Sequence, residues 1–202
     1  MSKKPVIVFE GIEGSGKSYH ISNVSRYLKK NKIDHIKIRE PGGSLNAEKI
    51  RGLILSNKSN FNQDTDLLLY LAARSENIKL LRKYYKKKII LIDRFVDSTI
   101  AYQHYGLGVN INLINTINNY LLKNFKIDFT FLNIVSKKNM IKRLKSRRSL
   151  NRYDKFESNF YQKVQKGFLK LTDKKKKYQI IDSNLDIKMN KSLIINKLIK
   201  LI

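Results

Sequence analysis

The chain has 202 residues and carries 42 Lys and Arg against 16 Asp and Glu, which gives a formal charge of +26 at pH 7. This length is typical of one domain, and the positive charge favours polyanionic partners such as nucleotides or nucleic acids, although an AT-rich genome would also produce an excess of lysine. The absence of cysteine excludes disulfides and thiolate metal sites, and the N-terminal apolar run is too short for a signal peptide or membrane span, so we expect a cytoplasmic protein.

Short apolar runs alternate along the chain with longer segments of helical period. This alternation predicts an α/β fold in which helices cover both faces of a five-stranded parallel sheet. The predicted strands are residues 6–9, 35–39, 89–93, 129–134 and 178–182. The predicted helices are residues 17–30, 47–55, 64–83, 111–125, 137–147, 159–171 and 188–202. We expect a single domain over residues 1–202 with a short lid at about residues 143–157.

The first predicted strand runs into Gly11-Ile12-Glu13-Gly14-Ser15-Gly16-Lys17-Ser18, which matches the phosphate-binding motif G-x-x-x-x-G-K-[ST]. The motif lies between an apolar strand and a helix, which is its context in the P-loop NTPase fold. Its backbone amides and the helix N-terminus are suited to bind the phosphates of ATP. We expect Lys17 on the β- and γ-phosphates and Ser18 on magnesium.

The second predicted strand ends at "REPGG", residues 39–43. Open parallel sheets bind ligands at the carboxyl ends of their strands, so Arg39 or Glu40 is expected to face the site. Pro41 and the two glycines are typical of a tight turn that brings backbone close to a ligand. An ordinary turn is the alternative on these residues alone.

The next two predicted helices carry residues whose roles the pattern leaves open. Tyr70 and Arg74 are one helical turn apart and therefore share a face. Such a face can stack a base and hold its phosphate, but a core tyrosine beside a solvated arginine fits the spacing as well. Arg51, in the preceding helix, is open to the same two interpretations.

The third predicted strand ends in Asp93 and Arg94, within "LIDRFVDSTIAYQ" at residues 91–103. An aspartate at this edge can hold magnesium or orient the transferring oxygen, and an arginine can bind a phosphate with two parallel hydrogen bonds. A surface ion pair is the alternative, which the presence of a P-loop disfavours.

A basic, loop-like segment contains "KRLKSRRSLNRYDKFE", residues 142–157. Its arginines are Arg143, Arg147, Arg148 and Arg152. Phosphoryl transfer builds negative charge, which arginines from a closing lid stabilise while they exclude water. A charge run is more often a solvated surface. However, the P-loop supplies no cation besides Lys17, so a further cation must come from elsewhere.

Together these motifs resemble those of the bacterial thymidylate kinase family, whose members convert dTMP and ATP to dTDP and ADP. The matching segments, in the family's order, are "FEGIEGSGKS", "REPGG", "LLLYLAAR", "DRFVDSTIAYQ" and "NRYD". The resemblance extends from Val6 to the last predicted helix. It implies Mg²⁺ as cofactor, ATP as phosphoryl donor, dTMP as acceptor and a homodimer, with neither a membrane nor nucleic acid as partner.

The resemblance also implies roles for individual residues. Glu13 is expected to contact the dTMP sugar, Arg94 the dTMP phosphate, and Tyr70 to replace the usual Phe that stacks on thymine. Asp93 is expected to support magnesium or the phosphoryl acceptor. The other expected dTMP contacts are Arg39, Arg51, Arg74, Ser98 and Gln103. The P-loop residues 11–18 and Arg143 are expected to contact ATP.

Gly14 stands where some members of the family carry a catalytic arginine, and members with glycine there supply the arginine from the lid. The segment Asn151-Arg152-Tyr153-Asp154 aligns with the family's lid motif of Asp, Arg, a hydrophobic residue and Glu. We therefore expect Arg152 to be the main lid cation, assisted by Arg147 or Arg148. A shifted register would give this role to Lys155, and Asn151 departs from the usual Asp.

Two other functions stay open at this level. A deoxynucleoside kinase or another monophosphate kinase would share the P-loop but should lack "DRFVDSTIAYQ". A nucleic-acid-binding protein would use the positive charge and should interleave aromatic residues with Lys and Arg on one exposed surface. Most aromatic residues here fall instead in apolar helix and strand patterns.

Overall fold

A computed structural model describes residues 4–147, 149–172 and 177–202. The strands in this part of the chain are β1 (Val6–Glu10), β2 (His35–Arg39), β3 (Ile89–Asp93), β4 (Phe129–Ile134) and β5 (Tyr178–Asp182). They form one parallel sheet in the order β2-β3-β1-β4-β5. The predicted five-stranded parallel sheet is confirmed. Within the same residues, no helix has the length and apolar character needed to cross a membrane.

Eight α-helices occur in the described residues, and helices cover both faces of the sheet. They are α1 (Lys17–Lys30), α2 (Leu45–Leu55), α3 (Gln63–Tyr84), α4 (Val96–Thr99), α5 (Ile111–Leu122), α6 (Lys137–Lys145), α7 (Ser158–Thr172) and α8 (Ile187–Ile199). Three of these helices have an N-cap residue immediately before them whose side chain accepts a hydrogen bond from a first-turn backbone amide: Ser44 for α2, Asn62 for α3 and Ser136 for α6. The seven predicted helices are therefore present, with small differences at their ends.

The sheet is packed with apolar side chains on both faces. Ile7 and Phe9 of β1 pack with α1 and α8 on one face, and Val6 and Val8 pack with α3 and the end of α5 on the other. Successive residues of a strand point to opposite faces, so an unbroken apolar run contributes to both cores. This packing makes the sheet a rigid base for the loops at its carboxyl edge.

The sequence does not predict one helical region. α4 follows β3 directly and continues as a π-helix over Ile100–Gly106. Phe95 precedes α4 and has no side-chain oxygen that could cap it. Instead the Glu10 carboxylate accepts the backbone N–H groups of Phe95 and Ser98 at 2.8 and 3.2 Å. Because the cap comes from β1, far away in the sequence, it leaves no local signal for the start of the helix.

Candidate active site

The loop between β1 and α1 has the conformation that its glycines allow. Gly11 has a φ of 137°, and a Cβ atom there would lie 2.2 Å from the carbonyl oxygen of Asn133, so only glycine fits. Gly16 is left-handed and immediately precedes α1. The Ser15 hydroxyl donates to the Ile12 carbonyl at 2.7 Å and closes the loop on itself. The loop therefore presents the N-terminus of α1 at the carboxyl edge of the sheet, where it can bind an anion.

Lys17 folds back over this loop. It is buried, and its Nζ atom donates to the Ile12 carbonyl at 3.0 Å. Burial, and after it the positive charge of Arg94, lowers the pKa of Lys17 to about 8. A phosphate bound beside this amine would stabilise its charged form, so a polyanionic ligand should raise the pKa of Lys17 and keep it protonated.

Ser18 and Asp93 bring two oxygen donors together beside the loop. The Ser18 hydroxyl, in the first turn of α1, donates to the Asp93 carboxylate at the end of β3 at 3.2 Å. In the described residues no group of three or more His, Cys, Asp and Glu side chains is arranged to hold a metal ion. Mg²⁺ usually takes one or two protein oxygens and completes its shell with water and substrate phosphates. The pair therefore fits Mg²⁺ bound together with a phosphate ligand.

Arg94, Glu13 and Tyr102 form a charged cluster next to this pair. Arg94 has a φ of 66°, which is uncommon for a residue with a side chain. Its guanidinium donates to the Glu13 carboxylate at 2.6 Å, the Gly11 carbonyl at 3.0 Å and the Tyr102 hydroxyl at 3.2 Å. The Tyr102 hydroxyl also donates to Glu13. Burial alone would raise the pKa of Glu13, but Arg94 and Lys17 outweigh it and lower that pKa, so Glu13 is a carboxylate.

These groups surround one cavity of about 220 Å³, which we call the central cavity. The sequence-predicted residues that line it are Glu13, Lys17, Ser18, Arg39, Arg51, Tyr70, Arg74, Asp93, Arg94, Ser98, Gln103 and Arg147. Glu40, the alternative to Arg39, lines it as well. Lining residues that the sequence did not assign to a site are Pro41, Leu55, Phe95, Thr99, Tyr102, Asn151 and Tyr153. Thr99 and Tyr102 belong to the "DRFVDSTIAYQ" motif, so the motif could have identified them as site residues.

Arg74 forms the buried end of the cavity. It is 2% exposed, and its Nε atom donates to Glu40 at 2.8 Å. Its two terminal nitrogens donate to Asn118 at 2.6 Å and to Thr99 at 3.0 Å. Arg74 is therefore a fixed, paired charge, and the interpretation as a solvated charge is wrong. Its partners come from the loop after β2, from α4 and from α5, so none of them could be identified from spacing within α3.

Arg39 and Arg51 also line the cavity and are less buried than Arg74. Arg39 is 55% exposed and pairs with Glu48 at 2.9 Å. Arg51 donates to the Pro41 carbonyl at 2.6 Å. Both guanidinium groups keep further donors for a ligand, because each of these groups has five N–H bonds. The end of β2 thus contributes positive charge to the cavity wall.

Three other lining residues differ in whether their side-chain groups are available to a ligand: Ser98, Gln103 and Tyr70. The Ser98 hydroxyl is already used, because it donates to the buried Glu10 carboxylate. Gln103 is buried, and its amide lies 3.5 Å from the Tyr153 hydroxyl. Tyr70 packs edge-to-face against Tyr153 with ring centroids 5.9 Å apart. The ring of Tyr70 and the amide of Gln103 are the groups suited to recognise a planar ligand.

The arginines of the predicted lid, residues 143–157, occupy different places. Arg143 donates to the Gly14 carbonyl at 2.7 Å and to the Ser183 carbonyl at 2.6 Å, and so joins the P-loop to the turn after β5. Arg147 lines the cavity and pairs with Asp154. Arg152 pairs with Asp66 of α3 and does not line the cavity. Arg148 lies outside the described residues.

Asn151 keeps the lid turn ordered although the family usually has Asp at this position. Its side-chain oxygen accepts the Tyr153 amide at 2.8 Å, and its backbone amide donates to Asp154 at 3.1 Å. The turn that follows is a short 3₁₀-helix over Tyr153–Lys155. Lys155 is exposed and does not line the cavity. The departure at Asn151 therefore does not disrupt the local geometry.

Comparisons with known proteins give one consistent result. A family model described as thymidylate kinase matches residues 9–194. The thymidylate kinase of Thermosipho africanus (strain TCF52B) is 37% identical over 183 residues, which are 90% of each chain. That of Acholeplasma laidlawii (strain PG-8A) is 35% identical over 198 residues, which are 96% of this chain and 98% of the relative. The crystal structure of thymidylate kinase from Ehrlichia chaffeensis has a TM-score of 0.76 at 30% identity and covers 96% of this chain and 97% of its own.

Proposed function

The chain belongs to the thymidylate kinase family, and on this premise we propose how its residues transfer the γ-phosphoryl group of ATP to dTMP. The reaction converts dTMP to dTDP. The protein needs to supply little covalent chemistry, because positioning and charge neutralisation dominate phosphoryl transfer. A phosphate oxygen of dTMP is already ionised near neutral pH, so the reaction requires no general base.

On the donor side, the P-loop binds the phosphates of ATP. The backbone amides of residues 11–18 surround the phosphates, and the Lys17 amine neutralises the β- and γ-groups. Arg143 is bonded to the P-loop at Gly14, so it is placed to contact the same nucleotide. These assignments are supported by the burial of Lys17 and by the backbone conformation of Gly11 and Gly16.

Ser18 and Asp93 hold Mg²⁺ in this proposal. Bound there, the ion would supply positive charge that neutralises the negative charge of the phosphates as it develops. Asp93 also orients the acceptor phosphate relative to Lys17, because it lies at the end of β3 beside Arg94. The hydrogen bond between the two oxygen donors, 3.2 Å long, supports the pairing.

On the acceptor side, the cavity separates the two ends of dTMP. Arg94 binds the phosphate, and Arg39 and Arg51 contribute further positive charge from the cavity wall. Tyr70 stacks on thymine, while Gln103 and Arg74 contact the edge of the base. Glu13, held by Arg94 and Tyr102, accepts a hydrogen bond from the sugar hydroxyl. Ser98 contacts dTMP as part of the cavity wall and donates no hydrogen bond to it, because its hydroxyl already donates to Glu10.

The lid supplies the transition-state cation. We assign this role to Arg147, because its guanidinium is the one from the described part of the lid that lines the cavity. Arg152, which the sequence favours, is the second candidate, and it is held on Asp66. Arg148 stays a prediction from the sequence.

The observation that carries this function is the convergence of Lys17, Asp93, Arg94 and Tyr70 on one cavity. Arg94→Gln tests it. Removing two charge-assisted hydrogen bonds to a phosphate should lower kcat/KM for dTMP by about 100-fold. The matched control is Arg26→Gln, which removes an exposed arginine of α1 away from the cavity. Equal kcat/KM values for the two variants would contradict the proposed site.

We also propose that the chain forms a homodimer, as the family resemblance implies. Leu53 on α2 and Leu68 on α3 are both more than half exposed, and the two helices pack side by side. Apolar side chains on neighbouring helices favour coverage by a second copy. Light scattering after size-exclusion chromatography should give twice the mass of the chain, and the mass of a single chain would refute the dimer.

A further inference from the structure

A buried carboxylate of α3 binds the lid through two hydrogen bonds. Asp66, near the start of α3, is 4% exposed. It accepts hydrogen bonds from two consecutive lid residues, the guanidinium of Arg152 and the hydroxyl of Tyr153. We call these three residues the lid anchor. Neither the sequence motifs nor the proposed chemistry gives Asp66 a role.

Within the lid anchor, the side chains of Arg152 and Tyr153 both donate to Asp66. The Arg152 backbone amide also donates to the Leu55 carbonyl at 3.3 Å, and the Gln103 amide approaches the Tyr153 hydroxyl. The Arg152 guanidinium lies over the Tyr153 ring, 5.1 Å from its centroid. The Nε atom of Arg152 is buried and has no hydrogen-bond partner. The Arg152 side chain is 18% exposed, and Asp66 is the carboxylate that pairs with its guanidinium. Removing the charge of Asp66 should therefore loosen the turn.

The anchor lies on the side of the cavity that holds Tyr70. Asp66 is one helical turn before Tyr70, so the two side chains share a face of α3. The Tyr153 ring packs edge-to-face against Tyr70 and, at 6.1 Å, against Tyr102. The lid therefore reaches across the cavity and closes its aromatic end.

The same turn also fixes the lid arginine that lines the cavity. Asn151 immediately precedes the anchor and bonds to the Asp154 carboxylate, and Asp154 pairs with Arg147. A bonded chain thus leads from Asp66 through the turn to the Arg147 guanidinium. If the turn leaves α3, Arg147 loses the support that holds it at the cavity wall.

We propose that Asp66 is a positioning residue, which fastens the lid across the central cavity so that the aromatic end and Arg147 are set together. This inference rests on the proposed function, because the proposed function gives the lid its role in phosphoryl transfer. In this proposal the closed position of the lid depends on Asp66, which lies one helical turn from Tyr70, the residue whose ring stacks on the base.

The test compares Asp66→Asn with Asp64→Asn. Both variants remove one negative charge from the first turn of α3, but Asp64 is exposed, whereas Asp66 is buried and bonded to the lid turn. Asp66→Asn should lower kcat with dTMP and ATP about tenfold while KM for dTMP changes by less than about threefold, because the lid acts in the chemical step. Hydrogen–deuterium exchange of residues 149–157 should also become about tenfold faster, because local opening sets this rate. Asp64→Asn should match the unaltered chain in both measurements.

Tyr153→Phe provides a second variant, in case Asp66→Asn folds poorly. This variant removes the hydrogen bond from the Tyr153 hydroxyl to Asp66 and keeps the bond from Arg152 and the aromatic packing. It should therefore change kcat and the exchange rate in the same direction as Asp66→Asn, but less. The proposal is overturned if Asp66→Asn and Asp64→Asn behave alike, or if exchange becomes faster while kcat does not change. Absence of dTMP phosphorylation by the unaltered chain would instead overturn the proposed function, and the exchange rates would still decide whether Asp66 holds the lid.

Discussion

Glu10 should make the fold less stable as the pH rises towards neutrality, and Glu10→Gln should remove this dependence. Glu10 ends β1 and is 1% exposed. Burial, reinforced by the negative charge of Asp97, raises the pKa of Glu10 from 4.5 to about 7. Hydrogen bonds from Ser98 and Phe95 favour the ionised form but do not outweigh burial.

The direction follows from the two protonation equilibria. In the unfolded chain Glu10 loses its proton near pH 4.5, whereas in the folded chain it loses it near pH 7. Between these values the folded state binds more protons, so stability falls as the pH rises. The stabilisation is complete below pH 4.5 and lost above pH 7. Each pH unit corresponds to about 1.4 kcal/mol, so the ionised form costs about 3 kcal/mol of unfolding free energy.

Glutamine imitates the protonated acid, because its amide oxygen can accept the backbone N–H groups that cap α4. The advantage of Glu10→Gln over the unaltered chain should therefore be about 2.5 kcal/mol larger at about pH 8.5 than at about pH 5. For a chain of this size the change corresponds to about 8 °C in Tm.

Thermal unfolding followed by circular dichroism at the two pH values measures this difference. Glu76→Gln is the control, because Glu76 is an exposed carboxyl on α3. A Tm advantage of Glu10→Gln that is the same at both pH values would refute the reasoning, since it would mean that Glu10 titrates alike in the folded and unfolded chains.

Two further predictions concern the nucleotide site. Burial and then Arg94 lower the pKa of Lys17 to about 8, so kcat/KM for ATP should fall as the pH rises through about 8, when the free protein loses the charge that binds phosphate. Initial rates at low ATP concentration measure this, and a flat profile up to about pH 9.5 would contradict it. Tyr70→Ala should raise KM for dTMP about 30-fold through loss of base stacking, whereas Tyr70→Phe should change it less than about threefold. Similar KM values for these two variants would show that the ring does not stack on the base.

The sheet was predictable because its strands are short apolar runs that end at recognisable loops. The apolar run of β1 ends at the P-loop, and that of β3 ends at Asp93 and Arg94. Those boundaries place the predicted charges at one edge of a parallel sheet, which is why most of them line one cavity. Local pattern and elementary topology are sufficient for this part of the site.

Other features depend on residues that are distant in sequence. Glu10 caps α4 from the end of β1. Arg74 is held by partners from the loop after β2, from α4 and from α5, and Asp66 binds the lid turn. No periodicity within a segment encodes these contacts, because each partner has its own local role in a different element. The lid in particular could be located by its arginines, but its attachment point could not.

The large positive charge is only partly used by the central cavity. The basic residues that line it are Lys17, Arg39, Arg51, Arg74, Arg94 and Arg147, whereas most of the 42 Lys and Arg residues lie elsewhere. A surface for nucleic acid should expose aromatic rings between these charges. The largely exposed aromatic residues in the described part of the chain are Tyr19 and Tyr120, which lie on α1 and α5. This distribution does not favour the nucleic-acid-binding alternative.

The most direct test of the account is a panel of phosphoryl acceptors. ADP formation from ATP is measured for the purified chain with dTMP, dCMP, dGMP or AMP under the same conditions. A cavity in which Tyr70, Gln103 and Arg74 recognise thymine predicts a rate with dTMP far above the other three. Equal rates with all four acceptors would contradict the assignment.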